Sequence, residues 1–175
     1  EAATLTDAEK AQTLAIVIDQ NKGRLPIGLG LGGNDTAALV RDIETANSNA
    51  GVNAYLSASP HYNKPSQRGI VAHYQALAKA AKKPIILYNV PGRTSSNMTA
   101  ETTLELAKVD NIIGMKEASG NMEQVMQIIK NAPKDFLVLS GEDALAMPCA
   151  LIGGHGVISV VANALPKEFS SMMNA

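Results

Sequence analysis

The sequence is short of aromatic residues, of cysteine and of excess charge of either sign. Aromatic residues make up 3% of its 175 residues and tryptophan is absent, so the core must be aliphatic. The single cysteine, Cys149, excludes an internal disulfide, and we expect a buried thiol in a cytoplasmic protein. A net charge of −1 without basic clusters argues against a nucleic-acid partner. No apolar run reaches the roughly 18 residues of a membrane span, so we expect no membrane partner.

Helices and strands are expected to alternate along the chain. A capping-box pattern at 6–9 predicts a helix to residue 23, and further helices are predicted at 34–49, 66–82, 99–108, 121–131 and 142–151 and from 166 onward. Short apolar runs predict six strands, at 25–29, 52–57, 84–88, 112–115, 136–139 and 157–160. Short strands separated by helices indicate βαβ units, and hence an α/β fold with a parallel sheet.

Polar residues and glycines collect after the predicted strands rather than before them. The segments that follow the strands are 30–34, 57–62, 88–94, 116–119, 140–143 and 159–163. Parallel α/β folds bind ligands outside the carboxyl ends of their strands, both in open sheets and in barrels. The functional face is therefore expected at this end of the sheet.

Lys116 lies where the predicted buried strand at 112–115 ends. Burial disfavours the ammonium form and lowers a lysine pKa from its ordinary value of about 10.4. A neutral amine is what imine formation with a carbonyl substrate requires. The alternative is a strand-end lysine whose stem lies along apolar surface while the amine reaches water.

One glycine pattern points to a different function. Gly28, Gly30 and Gly33 match the G-x-G-x-x-G spacing of dinucleotide-binding turns, after a predicted strand and before a predicted helix. Such sites also need an acidic residue at the end of the next strand, and residues 56–59 contain none. We therefore expect no nicotinamide cofactor and interpret the glycines as a tight turn where backbone segments approach closely.

The remaining acidic residues are interpreted as structural. Glu117 follows Lys116 on the strand and so points to the opposite face, where we expect a structural partner on the helix side rather than a general base. Glu142 and Asp143 are expected to stabilise the N-terminus of the helix that they begin.

The histidines do not form a metal-binding pattern. His61, His73 and His155 show no metal-ligand spacing with one another or with Cys149, so we expect no metal site. We interpret His73 as structural within its helix and His155 as a loop residue.

Four blocks of the sequence carry a family resemblance. Residues 59–67, 88–94, 111–120 and 153–159 resemble, in order, the dihydrodipicolinate synthase / N-acetylneuraminate lyase family of pyruvate-dependent class I aldolases. The resemblance implies a TIM (β/α)8 barrel, of which the six strands look like the third to eighth. It also implies that residues 1–175 are one partial barrel domain without the first two strands and the C-terminal helices. The Gly-Thr-Thr-Gly segment of the family would fall immediately before Glu1.

The resemblance also implies roles for individual residues. Lys116 matches the lysine that forms a Schiff base with pyruvate, and Tyr88 matches the tyrosine that relays protons to the bound intermediate. Arg93 matches the arginine that holds the carboxylate of the second substrate. Tyr62 looks like the tyrosine lent to the site of a neighbouring subunit. Backbone positions that resemble those lining the pyruvate pocket are Gly141 and Ile158.

The activity implied is that of the synthase branch of this family. Such a lyase condenses pyruvate with aspartate semialdehyde to give 4-hydroxy-tetrahydrodipicolinate in diaminopimelate and lysine biosynthesis. It needs no cofactor beyond the covalent imine on Lys116, and the expected assembly is a homotetramer built as a dimer of dimers.

Two alternatives stay open at the level of sequence. A sister aldolase acting on a sugar acid such as N-acetylneuraminate is one, although Arg93 in the run 91–94 matches the synthase pattern. The other is a catalytically incomplete fragment, or a binding relative that keeps the fold without turnover.

Overall fold

Six parallel strands pair in the order of the sequence in the computed structural model, which describes residues 2–175. They are β1 (Gly28–Gly30), β2 (Ala54–Ala58), β3 (Ile85–Asn89), β4 (Ile112–Glu117), β5 (Leu137–Ser140) and β6 (Gly156–Val157). Each strand pairs in parallel with the next. The predicted alternation and the parallel sheet are therefore confirmed.

Eight α-helices precede, connect or follow these strands within residues 2–175. They are α1 (Asp7–Asn21), α2 (Thr36–Ala46), α3 (Gln67–Ala80), α4 (Pro91–Thr94), α5 (Ala100–Leu106), α6 (Met122–Asn131), α7 (Ala146–Leu151) and α8 (Pro166–Met173). Short 3-10 turns lie at Ala2–Thr4, Asp143–Leu145 and Val161–Asn163. None of the helices described is both long and apolar enough to cross a membrane.

Side-chain caps fix where several helices begin. Thr6 accepts the N–H of Glu9, whose carboxylate accepts the N–H of Thr6, so the predicted capping box is present. Ser66 and Asn121 accept backbone N–H groups in the same way at the starts of α3 and α6. These local bonds satisfy N–H groups that the first helical turn leaves without partners.

The first strand differs from its prediction. It begins at Gly28 rather than at residue 25, because Pro26 has no N–H to pair and Leu25 is 68% exposed. Among the described residues, a Cβ at Gly28, Gly30 or Gly33 would meet no atom within 4 Å, because β1 lies at the edge of the described sheet. The close backbone approach expected at these glycines stays a prediction.

The last predicted elements are also shorter than expected. The strand predicted at 157–160 ends at Val157, because the N–H of Val160 donates to the Asp143 carboxylate rather than to a neighbouring strand. The helix predicted at 142–151 is divided into the 3-10 turn Asp143–Leu145 and α7.

The core lies between the helices and one face of the sheet. Five large apolar side chains on the strands face the helices and are at most 1% exposed: Tyr55, Ile85, Leu87, Met115 and Val138. The opposite face is only half-buried at Leu56, Ile86, Tyr88 and Lys116. Strands in sequential order with helices on one face are the arrangement of a (β/α)8 barrel, whereas doubly wound sheets carry helices on both faces. Lys116 therefore belongs to the barrel interior.

Candidate active site

Lys116 and Tyr88 meet at the carboxyl ends of β4 and β3. The two residues are paired in the parallel register, so their side chains leave the same face of the sheet. Lys116 Nζ lies 4.3 Å from the centroid of the Tyr88 ring. At this distance the ring face attracts the protonated amine and holds it beside the phenol.

Burial and nearby charges tune the Lys116 amine. Partial burial lowers the pKa of Lys116, the charges of Glu142 and Asp143 act in the opposite direction, and the Arg93 charge lowers it further. The balance leaves the pKa below its ordinary value. A larger share of neutral, nucleophilic amine is therefore available near neutral pH than for a solvated lysine.

The pKa of the Tyr88 hydroxyl is shifted in the opposite direction, upward. Burial is the main cause of this increase. The Arg93 charge offsets part of it, and the Glu142 charge adds to it. The phenol therefore stays protonated at neutral pH and can donate a proton or a hydrogen bond to a bound intermediate.

Arg93 lies on α4, a one-turn helix that the sequence analysis did not predict. Pro91 occupies its first turn, where the missing N–H costs nothing, and Ser95 ends it in the left-handed region at φ 60°. The turn directly follows β3, so Arg93 stands exposed beside the strand end that carries Tyr88. Its charge reaches both Lys116 and Tyr88.

Two backbone segments close the same end of the sheet. Gly141 N–H donates to the carbonyl of Glu117 at 2.7 Å, and Ile158 N–H donates to the carbonyl of Ser140 at 2.9 Å. A Cβ at Gly141 would stand 3.0 Å from Lys116 Cε. Gly141 is thus packed against the lysine stem, while Ile158 follows β6 at the adjacent strand end.

Tyr62 is not packed into this group. Its side chain is 83% exposed on the loop that follows β2, and its backbone adopts the left-handed region at φ 70°. The structure thus collects Lys116, Tyr88, Arg93, Gly141 and Ile158 at one end of the sheet and leaves Tyr62 facing solvent.

Asp143 has a role that the sequence analysis missed. Its carboxylate accepts the N–H groups of Val160 and Val161 at 3.1 to 3.2 Å. A hydrogen bond from Ser159, followed by these N–H groups and the Lys116 charge, lowers the Asp143 pKa. Asp143 therefore ties the loop after β5 to the segment after β6. It also lies in the first turn of Asp143–Leu145, and the expected stabilisation of that N-terminus stays a prediction.

The histidines and the cysteine have structural surroundings. His73 is buried, with Nδ1 2.7 Å from Thr36 Oγ1, and desolvation lowers its pKa to about 4. His155 Nδ1 accepts the N–H of Val138 at 3.1 Å. Cys149 is 1% exposed, which confirms the buried thiol. Within residues 2–175 no cluster of three or more His, Cys, Asp or Glu side chains could hold a metal ion.

Comparison with known proteins decides the family. The model of the dihydrodipicolinate synthetase family matches residues 1–175. The chain belongs to this family. It is 51% identical to the 4-hydroxy-tetrahydrodipicolinate synthase of Flavobacterium psychrophilum, with 99% of this chain and 59% of the relative aligned. It is 52% identical to the synthase of Parabacteroides distasonis, with 99% and 58% aligned.

The solved structures agree with the fold. The dihydrodipicolinate synthase of Acinetobacter baumannii, crystallised with pyruvate, is 38% identical and superposes with a TM-score of 0.94 over 99% of this chain and 60% of that one. The prediction of a TIM-barrel fold represented in part is therefore confirmed. This chain spans slightly under three fifths of the length of the two curated relatives.

Proposed function

We propose that this chain carries the catalytic lysine of a lyase that condenses pyruvate with aspartate semialdehyde to give 4-hydroxy-tetrahydrodipicolinate. The observation that carries the proposal is the half-buried Lys116 amine, 4.3 Å from the Tyr88 ring centroid at the carboxyl end of the strands. The names of the Flavobacterium and Parabacteroides relatives and the pyruvate in the Acinetobacter structure support it. The product would enter diaminopimelate and lysine biosynthesis, which we expect in the cytoplasm.

The chemistry begins at the neutral amine. Lys116 Nζ adds to the keto carbon of pyruvate, and loss of one water leaves a protonated imine. The imine draws electrons from the pyruvate methyl group, which loses a proton and attacks the aldehyde carbon of the second substrate. No cofactor is needed, because the imine itself is the electron sink.

Tyr88 and Arg93 serve the second half of the reaction. The protonated phenol of Tyr88 is placed to supply a proton to the aldehyde oxygen as the carbon–carbon bond forms. Arg93 offers a planar fork of N–H donors that suits the carboxylate of the semialdehyde. Gly141 and Ile158, whose N–H groups already donate to strand carbonyls, would line the pyruvate pocket beside the Lys116 stem.

Tyr62 is assigned to an adjacent site. Its 83% exposure suits a side chain that inserts into a neighbouring subunit, and a homotetramer arranged as a dimer of dimers would provide that neighbour. A proton relay would then run from one subunit to the next. Analytical ultracentrifugation of a Tyr62→Phe variant would separate a catalytic defect from a loss of assembly.

We also propose that residues 1–175 form one partial barrel domain, completed by further strands and C-terminal helices. Six parallel strands do not close a barrel whose tilt and stagger are set for eight. Leu25 at one end and Val160 at the other are 68% and 71% exposed. Residues 1–175 alone should bind the dye ANS strongly. A cooperative thermal transition without ANS binding would contradict this.

The activity is tested by incubating the complete barrel with pyruvate and aspartate semialdehyde. Mass spectrometry should detect a product equal to the two substrates less one water. The same preparation should leave N-acetylneuraminate intact. Cleavage of N-acetylneuraminate without condensation would assign the protein to the sister aldolases instead.

A further inference from the structure

A buried carboxylate lies on the opposite face of the sheet from the candidate site. Glu117 is 4% exposed and is paired with Asn89 in the register, one step beyond the pair formed by Lys116 and Tyr88. Because successive strand residues point to opposite faces, Glu117 and Asn89 face the helices while Lys116 and Tyr88 face the barrel interior.

Three hydrogen-bond donors converge on this carboxylate. Ser119 N–H donates to Oε1 at 2.6 Å and Gln124 Nε2 donates to Oε2 at 2.8 Å. Asn89 Nδ2 lies 3.0 and 3.2 Å from the two oxygens. All three neighbours are donors, so the site suits a side chain that only accepts hydrogen bonds.

The network continues to the segment that follows Arg93. Asn89 Oδ1 accepts the N–H of Met98 at 3.0 Å, and Asn89 Nδ2 donates to Asn97 Oδ1 at 2.8 Å. Asn97 in turn donates to Gln124 Oε1 at 2.9 Å. The loop after α4 is therefore joined to β3, β4 and α6 through one buried cluster.

We propose that Glu117 is a positioning residue. Its carboxylate fixes the strand ends bearing Lys116 and Tyr88 and, through the loop after α4, the helix bearing Arg93 in one relative geometry. The inference rests on the proposed function. Its physical basis is that a misplacement of about 1 Å between catalytic groups can cost on the order of a hundredfold in rate. Donors aimed at one carboxylate from three segments oppose such a displacement.

The decisive variant is Glu117→Gln. It keeps the shape of the side chain but turns an NH2 group toward neighbours that are themselves donors. The measured quantity is kcat divided by the number of sites that pyruvate and borohydride label covalently. We expect this quotient to fall by about 10- to 100-fold. A merely structural role would lower the number of labelled sites and leave kcat per labelled site unchanged.

Two further variants control this test. Glu117→Gln combined with Gln124→Glu returns a carboxylate beside an amide, and should recover kcat per labelled site to within about threefold of wild type. Glu123→Gln makes the same change at an exposed position on α6 and should match wild type.

If Glu117→Gln does not fold, the Asn97→Ser variant tests the positioning role instead. It cuts the link to the loop after α4 without altering the carboxylate, and should lower kcat/KM for aspartate semialdehyde more than the rate of imine formation with pyruvate. A wild-type kcat per labelled site in folded Glu117→Gln, or a wild-type kcat/KM for the semialdehyde in Asn97→Ser, would overturn the inference while leaving the proposed function intact. Failure of wild type to be labelled by pyruvate would refute the proposed function itself, and the inference with it.

Discussion

Gly141 lies against the stem of Lys116, with space for no side chain between them. A Cβ added at Gly141 would stand 3.0 Å from Lys116 Cε and 2.6 Å from the Cβ of Ala118. Such distances are shorter than ordinary van der Waals contact, so either the lysine or the backbone of the loop must move. The absence of a side chain at this position is therefore part of how the amine is placed.

Gly141→Ala should slow imine formation with pyruvate. Displacement of the lysine stem should cost about 10- to 100-fold in the rate of borohydride labelling measured in a single turnover. A labelling rate equal to that of wild type would show that the close contact does not position the amine.

Arg93→Ala should lower turnover of aspartate semialdehyde more than it lowers imine formation with pyruvate. Loss of a charge-assisted hydrogen bond to the semialdehyde carboxylate should cost roughly 1.5 to 3 kcal/mol, or about 10- to 100-fold in kcat/KM. Pyruvate labelling should remain largely intact. Arg41→Ala, an exposed arginine on α2, is the control. An unchanged kcat/KM for the semialdehyde would rule out this role for Arg93.

Glu142→Gln should shift the pH profile of pyruvate labelling to lower pH. The Glu142 charge raises the Lys116 pKa, so its removal lowers that pKa further and the neutral amine appears at lower pH. Arg93→Gln should move the profile to higher pH, because the Arg93 charge lowers the same pKa. Labelling rates between pH 6 and 10 measure both shifts. Shifts of the same sign in the two variants would contradict this electrostatic account.

His73 should make the protein less stable in mild acid. Its pKa is about 4 in the fold, below its ordinary value of 6.5, so the unfolded chain binds the proton more readily. This contribution is complete well above pH 6.5 and is lost as pH falls toward 4, by about 3 kcal/mol. His73→Asn should flatten that part of the pH dependence in urea denaturation. Parallel wild-type and variant curves would show that His73 does not contribute.

The sequence predicts best what depends on neighbouring residues. The cap at Thr6 and the apolar run before Lys116 are short-range signals, and both elements appear where they were expected. The alternation of strands and helices then determines which end of the sheet collects Lys116 and Tyr88. The family resemblance added the barrel and the roles of individual residues.

Contacts between distant parts of the chain could not be predicted in this way. Asp143 caps backbone that lies 17 and 18 residues further on, and nothing in its local sequence separates this role from capping its own helix. The donors around Glu117 come from β3, α6 and the turn before it, so its network becomes visible only after the sheet has formed. One-turn helices such as α4 are too short to show a periodic pattern.

The proposed activity depends most directly on which lysine forms the imine. The measurement is pyruvate treatment of the complete barrel with borohydride, followed by peptide mapping, with Lys116→Arg as the control that keeps the charge but forms no imine. The reduced pyruvate adduct should map to Lys116, labelling should abolish activity, and the variant should remain unlabelled. An adduct on Lys82, Lys83 or any other lysine, or labelling that persists in Lys116→Arg, would contradict the account.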